Sequence, residues 1–64
     1  MTELRRLRKD RGFSVKEIAS AAGVSIMSIY RYETGRRKPD IDIAAKIAAK
    51  LGCTIEALME KKGA

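Results

Sequence analysis

Apolar residues recur along this chain at helical spacing. Val15, Ile18, Ala19 and Ala22 stand at i, i+3, i+4 and i+7, which is one stripe of a helix. Ile41, Ala44, Ile47, Ala48 and Leu51 repeat the pattern further on, and Leu4 and Leu7 begin it. Alternation of β-branched residues is nearly absent, so strands are not expected. Gly12, Gly23, Gly35, Pro39, Gly52 and Gly63 punctuate the chain into five short pieces, each compatible with a helix.

The ends of these pieces carry capping chemistry. The first runs from about Thr2 to Arg11, with Thr2 as a cap and Gly12 where a C′ glycine belongs. The second opens at Ser14, and Glu17 three residues on completes a capping box. Gly23 ends it. The third runs from about Ser25 to Glu33 and stops at Thr34-Gly35. A basic loop, Arg36-Arg37-Lys38, leads to Pro39, and Asp40 caps the fourth piece, Ile41 to Leu51. Ile41, Ala44, Ile47, Ala48 and Leu51 form its expected buried face. Gly52 ends it. Thr54 caps a last short helix carrying Ile55, Leu58 and Met59, with Glu56 and Glu60 toward water, and the tail "KKGA" is expected to fray. The expected architecture is all-α, a compact five-helix domain spanning residues 1–64.

Helices two and three are separated by three or four residues that include a glycine, the spacing of a helix-turn-helix. Ala19 is small where helix three must cross closely. Gly23 can take a left-handed conformation, and Val24 plugs the turn. Ile18, Ile29 and Tyr32 are placed to close the core between the two helices. At about 100° per residue, Ile29 and Tyr32 mark the inward face of helix three. Met27 then points away from the core. Tyr30, Arg31 and Thr34 also face outward, with Ile26 and Ser28 on the flanks. Such a face is a suitable surface for base edges in a major groove. Spacing alone leaves an αα-hairpin that binds nothing as the alternative.

Charge shifts the balance. The chain holds 14 Lys plus Arg against 8 Asp plus Glu, a net charge of +6, and its pI is about 9.9. That field favours an anionic partner, nucleic acid ahead of an anionic membrane. No apolar run approaches the length of a membrane span. The basic start "MTELRRLRKD" lacks the apolar segment of a signal peptide, and the expected location is the cytoplasm. Histidine is absent and Cys53 is the one cysteine, which excludes a His/Cys zinc site and an intrachain disulfide framework. Catalysis would lack its commonest acid–base group. The carboxylates form no catalytic pair, since Glu17 and Asp40 cap and Asp42 and Glu56 sit in first turns. No enzyme activity, cofactor, metal or small-molecule ligand is expected. Cys53, between two apolar segments, reads as a buried structural thiol.

The order of these motifs resembles the lambda-repressor-like, Cro/XRE-type helix-turn-helix domains of bacterial and phage repressors. The resemblance runs through Leu4, Leu7 and Arg8, then "GFS" at 12–14, then Glu17-Ile18-Ala19 and Ala22-Gly23-Val24-Ser25. It continues through Ile29, Glu33, Gly35, Pro39, Ile47-Ala48, Leu51-Gly52, Ile55 and Leu58. It implies a domain that binds operator DNA as a dimer, with helix three in the major groove and helix two across the backbone. The family's base-contacting positions correspond to Ile26, Met27, Ser28 and Arg31. Its phosphate-contacting positions correspond to the start of helix two (Ser14 and Lys16), Ser25 and the loop Arg36-Arg37-Lys38. The chain departs from the family at Val15 and Ile26, where many members hold a polar brace led by Gln. Here the brace is apolar.

The residues themselves add five expectations. Tyr30 either reaches a phosphate through its hydroxyl or packs on the loop, and Arg5 and Lys9 either flank a phosphate or solubilise helix one. Arg8 lies in the Leu4/Leu7 row and Glu33 near the inward face of helix three, so the two are expected to pair. Ile26 and Met27 cannot hydrogen-bond a base edge and are assigned to thymine methyl groups. A homodimer is expected because one reading helix offers few base contacts, and its surface is sought around Ile55, Leu58 and Met59, whose alternative is to lie entirely in the core. The resulting reading is a sequence-specific DNA-binding regulator, a homodimeric repressor on double-stranded DNA. The rival is a protein-interaction module, such as an antitoxin or anti-repressor, docking through Ile26 and Met27.

Overall fold

The computed structural model describes residues 2–58. They form α1 (Thr2–Asp10), α2 (Val15–Ala22), α3 (Ile26–Glu33), α4 (Ile41–Leu51) and α5 (Ile55–Leu58), with no strand among them. Met59, Glu60 and the "KKGA" tail with Gly63 lie outside the described residues, as does the side chain of Thr2.

Local chemistry explains where the helices begin and end. The Ser14 hydroxyl accepts the Glu17 N–H at 3.1 Å, and the Glu17 carboxylate accepts the Ser14 N–H at 2.8 Å, a closed capping box. Asp40 accepts the Ile43 N–H at 2.9 Å, and Thr54 accepts the Ala57 N–H at 3.1 Å. Between α2 and α3 the chain reverses at Gly23, whose φ of 72° lies in the left-handed region. An L-residue there would be disfavoured by roughly 1–2 kcal/mol. The Gly23 N–H donates to the carbonyls of Ala19 and Ser20, and Val24 donates to Ala19 at 3.0 Å. The turn is thereby a fixed angle.

α2 packs on α3 and α4, α1 on α3 and α5, and α4 on α5. Leu4, Ile18, Ile29, Ile47 and Leu58 are fully buried where these helices meet. Ala19 and Ala22 of α2 are buried as well, beside Ile18 and facing α3 and α4. Among the described residues, one ion pair crosses the bundle. Arg8 donates Nε to Glu33 Oε2 at 2.6 Å and Nη2 to Oε1 at 3.3 Å, and its Nη1 donates to the Phe13 carbonyl at 3.1 Å. That guanidinium ties α1, the α1–α2 turn and the end of α3 together.

Three expectations fail in this packing. Ile41 is 71 % exposed, not buried with Ala44 and Leu51. It is the first residue of α4, and a Cβ that tilts toward the N-terminus carries its side chain off the end of the helix. Leu58 is buried to 1 % exposure, so it cannot belong to an uncovered dimer surface. α5 folds back on α1 and α4, and that contact takes the side chain into the core. Of the residues proposed for that surface, only half-buried Ile55 remains among those described. Cys53 is a free thiol, half-buried rather than buried, packed against the edge of the core.

Among the described residues no helix is long and apolar enough to cross a membrane. No group of three or more His, Cys, Asp or Glu side chains among them is placed to hold a metal ion.

Candidate nucleic-acid interface

α3 starts at a serine cap. The Ser25 hydroxyl accepts the Ser28 N–H at 3.1 Å and lies 3.1 Å from the Ser28 hydroxyl. Ser25 is exposed and Ser28 half-buried. The two hydroxyls share one hydrogen bond and keep the capacity for another.

Beyond this cap the outward face is open. Ile26 is 43 %, Met27 55 % and Tyr30 49 % exposed. Met27, Tyr30 and Arg31 join Thr34 and Arg36 around a depression of about 300 Å³. No carboxylate among the described residues lines it. The only acidic residue of α3 is Glu33, which is buried and engaged by Arg8. The ion pair thus has a second effect beyond linking helices: it removes negative charge from the exposed face. The Arg31 guanidinium has no hydrogen bond or ion pair among the described residues, in contrast to those of Arg6 and Arg8.

The basic loop is anchored to the end of this helix. The Arg31 carbonyl accepts N–H groups from Arg36 at 2.9 Å and Arg37 at 3.2 Å. The Thr34 hydroxyl donates to the Tyr30 carbonyl at 2.9 Å. Gly35, with φ of 81°, makes the reversal. Arg36, Arg37 and Lys38 are exposed and leave the helix at its carbonyl end, where cations are favoured.

The start of α2 contributes differently. Ser14 and Lys16 are exposed, and the Ser14 hydroxyl accepts the Glu17 N–H in the capping box, which engages its oxygen but not its O–H. Lys16 borders another depression, of about 360 Å³, with Glu17, Ser20, Ala21 and Lys50. Thus Met27, Tyr30, Arg31 and Arg36 meet in one depression while Lys16 lines a separate one. Lys50 of α4 was not picked out by the sequence. Its Nζ lies 5.0 Å from the Phe13 ring centroid, which holds the ammonium beside the start of α2. The ammonium helps to hold the Glu17 carboxyl below its ordinary value, after the larger effect of the Ser14 backbone N–H. Val15 is half-buried and packs against the core.

Similarity to known proteins runs along most of the chain. The helix-turn-helix family model matches residues 4–58. Over 57 residues the chain is 37% identical to the HTH-type transcriptional regulator DdrOP3 of Deinococcus deserti, covering 89% of this chain and 44% of that protein. It is 37% identical over 49 residues to the uncharacterized HTH-type transcriptional regulator YqaF of Bacillus subtilis, covering 77% of this chain and 64% of that protein. The chain therefore spans less than half of DdrOP3 and under two thirds of YqaF. Its fold matches the N-terminal DNA binding domain of SinR from Bacillus subtilis with a TM-score of 0.80 and 27% identity, over 95% of this chain and 90% of that one.

Proposed function

This chain belongs to the helix-turn-helix family, in its lambda-repressor-like, Cro/XRE type, and on that premise we propose that it is a sequence-specific repressor of transcription that binds double-stranded operator DNA as a homodimer. The observation that carries this reading is the outward face of α3. It is open, free of carboxylates among the described residues and flanked by Arg36, on a chain of net charge +6. α3 lies in the major groove, where Ile26, Met27, Ser28 and Arg31 meet base edges. Ser14, Lys16, Ser25, Tyr30, Arg36, Arg37 and Lys38 meet phosphates on either side. The phosphate contacts set register, and the base contacts set sequence.

One such helix reaches too few bases for useful discrimination, which supports a dimer on two half-sites about 34 Å apart. A dimer occupying that site excludes other proteins from the same stretch of groove, which is how it represses. Selection of bound fragments from random duplex DNA, followed by footprinting, tests the reading. The expected result is a two-fold-symmetric site protected over both halves. Protection of one isolated half-site at saturation would refute the dimer.

A second reading rests on the exposure of Ile26 and Met27, because an apolar pair at a helix start also suits a protein partner. Salt separates the two. Affinity that depends on several phosphate contacts falls steeply between low and physiological salt, whereas apolar docking hardly responds.

A further inference from the structure

Met27 and Arg31 are four residues apart on α3 and line the same depression. Four residues advance a helix by about 6 Å, and neighbouring bases of one strand are about 3.4 Å apart. The long stems of Met and Arg make up the difference, so both tips reach one base step. Their chemistries are complementary. The guanidinium, unpaired among the described residues, offers a fork that fits guanine O6 and N7. The thioether offers only contact, and the one apolar group that a base pair presents in the major groove is a pyrimidine C5-methyl. Among the described residues neither group is diverted by a carboxylate, since Glu33 is turned inward to Arg8.

We infer that Met27 and Arg31 act as one unit that reads a C5-methyl group lying next to a guanine. This rests on the DNA-binding reading above and sharpens it in one respect. Thymine carries that methyl, and so does 5-methylcytosine. The Met27 thioether meets the methyl, not the exocyclic group on C4 (O4 in thymine, N4–H2 in 5-methylcytosine) that distinguishes the two bases in the major groove. Methylation of a cytosine beside the guanine therefore strengthens binding, and the domain responds to the methylation state of its site.

The test uses the full chain and a duplex obtained by selection from random DNA. At each pyrimidine flanking a guanine in the half-site, four bases are compared: thymine, uracil, cytosine and 5-methylcytosine. Thymine against uracil, and 5-methylcytosine against cytosine, each differ by the methyl alone. At one such position both comparisons are expected to favour the methyl by about four-fold per half-site, the worth of one buried methyl. Met27→Ala should abolish both gains, and Arg31→Ala should remove the preference for the neighbouring guanine by about ten-fold or more. Both side chains are exposed, so thermal melts of the variants should match the parent. If the methyl has no effect beside any guanine, or if its effect survives in Met27→Ala, the inference is wrong and DNA reading by α3 still stands. If no duplex is selected at all, the proposed function falls and this inference with it.

Discussion

The inward and outward faces of α3 belong to the same eight residues, Ile26–Glu33, yet they follow opposite rules. On the inward face Ile29, Tyr32 and Glu33 are each at most 6 % exposed, and the one charge among them is met by Arg8. No buried side-chain N or O atom among the described residues lacks a hydrogen-bond partner. On the outward face Met27 and Tyr30 stand about half in solvent, and the Arg31 guanidinium has no partner among the described residues. The first face is complete within the molecule. The second is a set of side chains with nothing to answer them among the described residues. A substitution on the inward face should therefore move stability, and one on the outward face should move binding.

The strongest way to break this comparison is at the ion pair. Arg8→Ala leaves the buried Glu33 carboxylate without its cation, and Glu33→Ala leaves the half-buried Arg8 with only the Phe13 carbonyl to accept from it. Each should lower the unfolding free energy by about 3 kcal/mol in urea titration. The double variant Arg8→Met/Glu33→Leu should lose much less, because it removes both desolvated charges at once. A single variant as stable as the parent would mean that the pair is held in place by the fold and adds nothing to it.

On the outward face the order reverses. Arg31→Ala should leave the melting curve within the scatter of the parent while weakening binding to a selected site by about 1–3 kcal/mol per half-site. The loss should be concentrated at one base position, and titration of duplexes varied at single positions would show it. A uniform loss across all sequences would move Arg31 from base to phosphate.

How much of this was legible in the sequence depends on the geometry concerned. Helical period fixes the angle of a residue around its helix, so the burial of Ile18, Ile29 and Tyr32 and the exposure of Met27 and Tyr30 followed from spacing. Caps are chemical and local, so Ser14, Glu17, Ser25 and Asp40 marked helix starts. Period says nothing about how far along a helix its neighbours extend. Ile41 has the angle of a core residue and stands beyond the end of the core. Leu58 had the angle for either role, and only the return of α5 onto α1 decided it. Proximity across elements was harder still. The Lys50–Phe13 contact joins residues 37 apart with no shared pattern to flag them. What the outward face touches is not written in its own period at all, because an exposed group is specified by its partner.

A smaller effect sharpens the comparison at the end of α3. Arg36, Arg37 and Lys38 sit beside the open face but carry charge without shape. Replacing any one by Ala should weaken binding about equally for all sequences. The slope of log affinity against log salt should become shallower by about 1 for each phosphate that is no longer neutralised. Stability should not change. A variant that altered the preferred sequence instead would place that side chain on a base.

The smallest effect comes from a residue that is exposed and yet serves the fold, and it limits the inward–outward rule. Glu17 is on the surface, but its carboxylate accepts the Ser14 N–H at 2.8 Å and closes the cap of α2. That backbone bond, with lesser help from the Ser14 hydroxyl and Lys50 and against the opposing effect of desolvation, holds its pKa below the ordinary 4.5. A carboxyl whose folded value is depressed binds its proton more readily when unfolded. Its contribution is therefore fully present above the unfolded value and is lost as pH falls through the lower folded one. Acidification from pH 7 to below 4.5 should lower the melting temperature partly through this group. Glu17→Gln keeps a side chain able to complete the box but cannot titrate. Its melting temperature should fall less over the same interval, with the two curves converging at the acid end. Parallel curves would show that the cap draws nothing from the charge of Glu17, and exposure alone would then suffice to separate the residues that hold the fold from those that face a partner.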